Sequence, residues 1–75
     1  MYSRRTCGLC DEAREVIQTV RREVPFAFEE RLIDGDDRLE REYGLRVPVV
    51  EVDGREEFEL HVDPDHLRDL VKRGA

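Results

Sequence analysis

Asp53-Gly54 stands between an apolar run, Val47-Pro48-Val49-Val50-Glu51-Val52, and an alternating run over residues 55–62. An Asp-Gly pair between two strand-like runs is the strongest short-range hairpin signal, because the favoured two-residue turn needs positive φ at both positions. The carboxyl-terminal half therefore demands an antiparallel pair. The amino-terminal half imposes a different constraint. Cys10, Ala13, Ile17, Val20 and Val24 step along one face of residues 7–23, with Val16 beside them, at the i, i+3, i+4, i+7 spacing of an amphipathic helix. That helix separates a short strand at Met1–Ser3 from a strand over 26–33 built on Phe26, Ala27, Phe28, Leu32 and Ile33. A strand–helix–strand unit closes as a parallel pair with a right-handed crossover. A chain that meets both demands has a mixed sheet.

The remaining elements follow from caps and breakers. Thr6 is a permitted N-cap, Arg21 and Arg22 suit a helix C-terminus, and Pro25 forbids continuation. Asp34-Gly35-Asp36-Asp37 is a turn. It leads into a short helix over about 36–43, with Leu39 and Tyr43 at i, i+4 and Gly44 as its stop. In the second hairpin arm Phe58, Leu60 and Val62 face inward, while Glu57, Glu59 and His61 face outward as on an edge strand. Asp63 caps a last helix with Pro64 at N1 and Leu67, Leu70 and Val71 as its buried stripe, ended by Gly74. The order is βαβαββα: an α/β fold with a four-stranded mixed sheet and helices on its faces.

The chain has 75 residues, which predicts one domain spanning 1–75. Charged residues make up 43% of it and the net charge is −6. The signs are mixed and the apolar residues are periodic, so the expectation is a folded domain with a small core and marginal stability. A pI near 4.9 opposes binding to phosphate backbones, so no nucleic-acid partner is expected. No apolar run approaches the roughly 20 residues that span a bilayer, so no membrane role is expected either. No charged-then-apolar leader opens the chain, which predicts a cytoplasmic protein. The acidic pairs Glu29-Glu30, Asp36-Asp37 and Glu56-Glu57 read as solvated faces.

Cys7-Gly8-Leu9-Cys10 sits where the first strand gives way to the helix. A helix N-terminus presents unpaired N–H groups and the positive end of the macrodipole. A thiolate placed there is stabilised, and its pKa falls below the free value of about 8.5. Cys7 lies at the exposed start and is the candidate attacking sulfur. Cys10 lies one turn in, on the apolar face, and is the candidate resolving sulfur. Arg4 and Arg5 add positive charge, and Asp11 and Glu12 cancel it, so the helix dipole dominates. In a reducing compartment two Cys at this spacing point to redox or catalytic use, or to half a metal site. His61 and His66 have zinc-like spacing. However, about 50 residues separate them from the Cys pair, and no metal site is expected.

With Tyr2-Ser3-Arg4-Arg5-Thr6-Cys7-Gly8-Leu9-Cys10-Asp11-Glu12-Ala13, Val47-Pro48-Val49-Val50 and Asp53-Gly54, the whole chain resembles the glutaredoxin-like branch of the thioredoxin superfamily. The resemblance implies a three-layer α/β/α thioredoxin-like fold with strand order 2-1-3-4. It also implies a cis peptide at Pro48 against the Cys pair, and a Val47 whose backbone N–H and C=O take up an extended substrate segment. The implied activity is thiol–disulfide oxidoreductase, with Cys7 attacking and Cys10 resolving. The implied partner is a disulfide-containing protein or a glutathione mixed disulfide, and a reductase or glutathione is the electron donor. The chain is expected to act as a monomer and to hold no permanent cofactor.

Three features depart from the family. Arg46-Val47-Pro48 replaces the usual Thr-Val-Pro, and no Gly-Gly pair follows, which argues against glutathione, although Arg46 is placed to meet a carboxylate. The Gly8-Leu9 dipeptide is unlike the usual ones. The first strand is short where the family has several more apolar residues, so either the natural start lies upstream, which is the expectation favoured, or the central strand is truncated and the domain unusually labile. Tyr2 and Leu9 complete the candidate substrate-contacting set. Tyr2 is equally readable as packing, and Leu9 stands off the apolar face where a partner would dock. A thioredoxin-fold binding module without turnover is the alternative to an enzyme.

Overall fold

The computed structural model describes residues 1–74. The elements run β1 (Tyr2–Ser3), α1 (Gly8–Glu23), β2 (Arg31–Leu32), α2 (Asp37–Tyr43), β3 (Val49–Val52), β4 (Arg55–Glu59) and α3 (Pro64–Arg73). The four strands form one sheet in the order β2-β1-β3-β4. β1 runs parallel to β2, with Tyr2 opposite Arg31, and antiparallel to β3, with Tyr2 opposite Val49. The expected βαβαββα mixed sheet and its short first strand are both present.

Neighbouring residues of β3 point to opposite faces, and each face carries its own apolar cluster. Val50 packs with Ala13, Ile17 and Val20 of α1, Phe58 of β4, Val62, and Leu67 of α3. Val49 packs with Ile33, Leu39 and Tyr43 of α2, Val47, and Cys10. Helices thus cover both faces and make the three layers of a thioredoxin-like fold. Cys10 stands on the helix of one layer and packs into the cluster of the other.

The hairpin forms at Asp53 and Gly54, with φ of 52° and 82°, the positive pair that this turn requires. The ladder pairs Val52 with Arg55 and Glu51 with Glu56, then shifts at a bulge so that Val50 meets Phe58 and Val49 meets Glu59.

Several local expectations change. Thr6 does not cap α1; Cys7 does, in extended backbone. The strand expected over 26–33 is reduced to Arg31–Leu32, with Phe26 and Phe28 half-buried beside the α1–α3 cluster. A strand hydrogen-bonds only where it has a neighbour, and β1 offers two residues. The strand expected over 47–52 starts at Val49, after the Val47–Pro48 bond, which is cis. β4 ends at Glu59, and Leu60 turns outward instead of joining Phe58 and Val62 in the core. In α3 only Leu67 is fully buried, while Leu70 and Val71 are half-buried against it.

Candidate redox site

The site begins with the first turn of α1. Cys7 is the N-cap, and its Sγ accepts the backbone N–H of Cys10 at 3.1 Å, while its carbonyl accepts that of Asp11, also at 3.1 Å. A side-chain acceptor at the N-cap satisfies one of the orphan N–H groups of a helix start, a place normally taken by Ser, Thr, Asp or Asn. Cys7 and Cys10 are joined as a disulfide with their Cα atoms 5.2 Å apart. Cys7 is half-buried and Cys10 is fully buried. The outer residue is therefore partly open to solvent, and the inner one is not.

The charges around the pair cancel, as the composition of the segment suggests. Arg4 does not face the sulfurs. Its guanidinium meets Glu40 at 3.2 Å and donates to the Gly44 carbonyl at 3.2 and 3.3 Å. Gly44 is needed for that approach: a Cβ there would collide with the Glu40 carbonyl and lie 2.8 Å from Arg4 Nη2. Asp11 is held by Arg14 at 2.9 Å. The helix start itself faces Cys7, and the exposed Arg5 guanidinium makes no ion pair among the described residues.

The floor of the site is aromatic and aliphatic. Tyr2 stacks on Tyr43 with ring centroids 4.1 Å apart and planes 12° from parallel. Tyr2 and Cys7 both pack on the cluster that contains Cys10, Tyr43 and Val47. Burial, followed by the Tyr2 hydroxyl, pushes the Tyr43 phenol up to about 12, so it stays protonated across the neutral range. Tyr2 therefore packs within the site, and the structure brings it together with Cys7, Cys10 and Val47. Pro48, next along the chain, is fully buried.

Arg46 is placed differently from what its position beside Val47 suggested. Its Nη1 meets Glu56 at 3.1 Å and Glu59 at 3.2 Å, and its guanidinium also donates to the Glu42 carbonyl at 3.0 and 3.3 Å. Its Cζ lies 5.4 Å from the centre of the Tyr43 ring. The two glutamates hold its pKa above the usual value. This guanidinium already has carboxylates. Leu9 lies on the other side, half-buried, in a groove with Leu60.

Sequence reasoning missed Leu60. Its alternation with Phe58 and Val62 reads as an inward position. The hairpin carries a contrary signal, because its register sets residue 60 near Pro48, which has no N–H to return to the ladder. Leu60 donates to the Pro48 carbonyl at 2.9 Å and takes φ of 69°. Glu30 also differs from its expected solvated role: it accepts from Ser3 Oγ at 2.6 Å and from Arg14 Nε at 2.8 Å.

A larger cavity of about 790 Å³ lies elsewhere, between residues 25–31, the end of β3 and α3, and neither cysteine lines it. Among the described residues no group of three His, Cys, Asp or Glu side chains is placed to hold a metal ion. No helix among them is long and apolar enough to cross a membrane.

The family model described as Glutaredoxin-like domain (DUF836) matches residues 1–72. Among solved structures, the chain is similar to the X-ray structure of Northeast Structural Genomics target protein XcR50 from X. campestris. The identity is 40% and the TM-score 0.80, over 96% of this chain and 92% of that one. The solution structure of the same target protein gives 39% identity and a TM-score of 0.78, over 97% and 90% of the two chains. No curated protein matches significantly.

Proposed function

The chain belongs to the glutaredoxin-like domain family, and from that premise we propose that it is a thiol–disulfide oxidoreductase working through Cys7 and Cys10. The observation that carries this reading is the placement of the pair. A half-buried sulfur caps the helix, and a fully buried one lies within disulfide reach.

In the reduced protein the Cys7 thiolate attacks one sulfur of a partner disulfide. A Cys7–partner bond forms, the partner's S–S bond breaks, and one partner thiolate leaves. Cys10 gives up its proton to solvent and attacks Cys7 Sγ. The Cys7–Cys10 bond forms, the mixed disulfide breaks, and the second partner thiolate leaves. Two electrons have passed from the protein dithiol to the partner. A dithiol reductase or glutathione then supplies two electrons to restore the pair. The backbone N–H of Cys10 supports the charge on Cys7 while it is a thiolate. Val47 offers its backbone to an extended partner segment beside the pair, and the neighbouring Pro48 shapes that strand-like edge. This cycle suits a reducing cytoplasm.

The test is turnover of a small protein disulfide by the wild type and by Cys7→Ser, together with a redox titration of the pair. The reading predicts turnover that Cys7→Ser abolishes and a potential between about −270 and −120 mV. Activity retained in Cys7→Ser defeats it. A pair that never cycles, in a protein that still binds partners, makes the chain a binding module instead.

A further inference from the structure

Leu60 is a non-glycine residue in the left-handed region, at φ 69°, and it is 38% exposed. Such strain persists only where the surroundings over-determine it, and it gathers at ligand-contacting segments. Here the tether is the hydrogen bond to the Pro48 carbonyl, in the segment beside the cysteines. The outward turn brings Leu60 to Leu9, Ala13 and Val16 of α1. With Val62 they line a groove of about 280 Å³, whose remaining walls are Glu12 and His61. Leu9, which lies between the two cysteines in the chain, joins the groove to the first turn of α1, although neither cysteine lines it.

The groove's lining holds one carboxylate, Glu12, with His61 beside it and no Arg or Lys. Arg4 is paired with Glu40, Arg14 with Asp11 and Glu30, and Arg46 with Glu56 and Glu59. The Arg5 backbone N–H donates to Asp34 Oδ1 at 3.2 Å, and its guanidinium, which makes no ion pair among the described residues, does not line the groove. Glu12 does line it, is exposed, and has no ion pair among the described residues. The chain as a whole carries −6.

We infer that this groove receives an apolar side chain flanked by a cationic one on a disulfide-bearing polypeptide. Leu9 and Leu60 hold the apolar group, and Glu12 faces the cation. The inference rests on the thiol–disulfide reading and names its substrate class. Glutathione disulfide carries carboxylates and no large apolar side chain, so it fits the groove poorly. The guanidinium closest to Val47 in sequence is already occupied by Glu56 and Glu59.

Two disulfide-linked peptides test this, each with Leu beside the Cys, one flanked by Lys and the other by Glu, compared with glutathione disulfide at low salt. The expected kcat/KM is about tenfold higher for the Lys peptide than for the Glu peptide. Glu12→Lys should remove or invert that ratio. Leu60→Gly, which relieves the backbone, should raise KM for the Lys peptide about fivefold. Equal rates for the two peptides, or glutathione disulfide outrunning the Lys peptide, overturns the inference. A second arm uses the same peptides with Ser in place of Cys, titrated onto the oxidised protein by calorimetry. A Lys preference in binding without any turnover removes the redox reading and leaves the groove assignment standing. Turnover without a binding preference does the reverse.

Discussion

Cys10 donates its backbone N–H to Cys7 Sγ at 3.1 Å, and the same two residues share the disulfide. One turn of helix therefore supplies both the sulfur bonded to Cys7 in the disulfide and the backbone N–H that faces the Cys7 sulfur. Two of the nearby arginines are engaged elsewhere: Arg4 with Glu40 and Gly44, Arg14 with Asp11 and Glu30. In the proposed cycle, the reactivity of Cys7 rests on the backbone at Gly8–Cys10.

Glu30, just before β2, ties that segment to α1 and to β1. Hydrogen bonds from Arg14, and then from Ser3, lower its carboxyl pKa from 4.5 to about 2 against the opposing effect of burial. A carboxyl with a lower pKa when folded stabilises the fold above its unfolded value, and that contribution is lost as pH falls through the folded one. Wild-type stability should therefore decline between about pH 5 and 2 more steeply than that of Glu30→Gln. The extra loss should be on the order of 1 kcal/mol for a pair this exposed to solvent. Urea midpoints measured across that range check it, and parallel curves for the two proteins contradict the assignment.

Gly44 caps α2 at φ −51°, a right-handed conformation open to any residue. Helix propensity alone would make Gly44→Ala stabilising by up to about 1 kcal/mol. The contacts with the Glu40 carbonyl and Arg4 Nη2 predict the opposite sign, a loss of about 1–3 kcal/mol. Thermal or urea unfolding of the single variant decides between the two.

Leu67 is 2% exposed and docks α3 onto the α1 face of the sheet. Truncation to Ala should cost about 3 kcal/mol. A chain of this size holds only a few kcal/mol in total. Leu67→Ala should therefore be largely unfolded at moderate temperature. Leu70→Ala, at a half-buried site, should remain folded with a modest drop in urea midpoint. Far-UV circular dichroism with urea titration distinguishes them.

The elements that the sequence made legible are those set by short-range chemistry. The spacing of Cys10, Ala13, Ile17 and Val20 marks α1, Asp53-Gly54 marks the hairpin, and Asp63-Pro64 marks the start of α3. The parts that eluded it depend on long-range partners. Phe26 and Phe28 have strand character, but the two-residue β1 offers them nothing to pair with. Arg46 meets Glu56 and Glu59 only because the bulged hairpin brings β4 back beside the start of β3. Leu60 keeps strand alternation in sequence and loses it in space, because the ladder ends at Pro48. At the site itself, the Cys pair was legible from its motif, and Tyr2 joins it through a stack on Tyr43 that residue spacing does not reveal.

The central claim is that Cys7 is the sulfur that engages the partner and Cys10 the one that releases it. It is tested most directly by incubating reduced Cys10→Ser and reduced Cys7→Ser with a disulfide-linked peptide and weighing the intact proteins by mass spectrometry. Cys10→Ser should accumulate one peptide adduct, mapped to Cys7 and stable until a reductant is added, while Cys7→Ser stays unmodified. An adduct that forms on Cys10 as readily as on Cys7 would contradict the account.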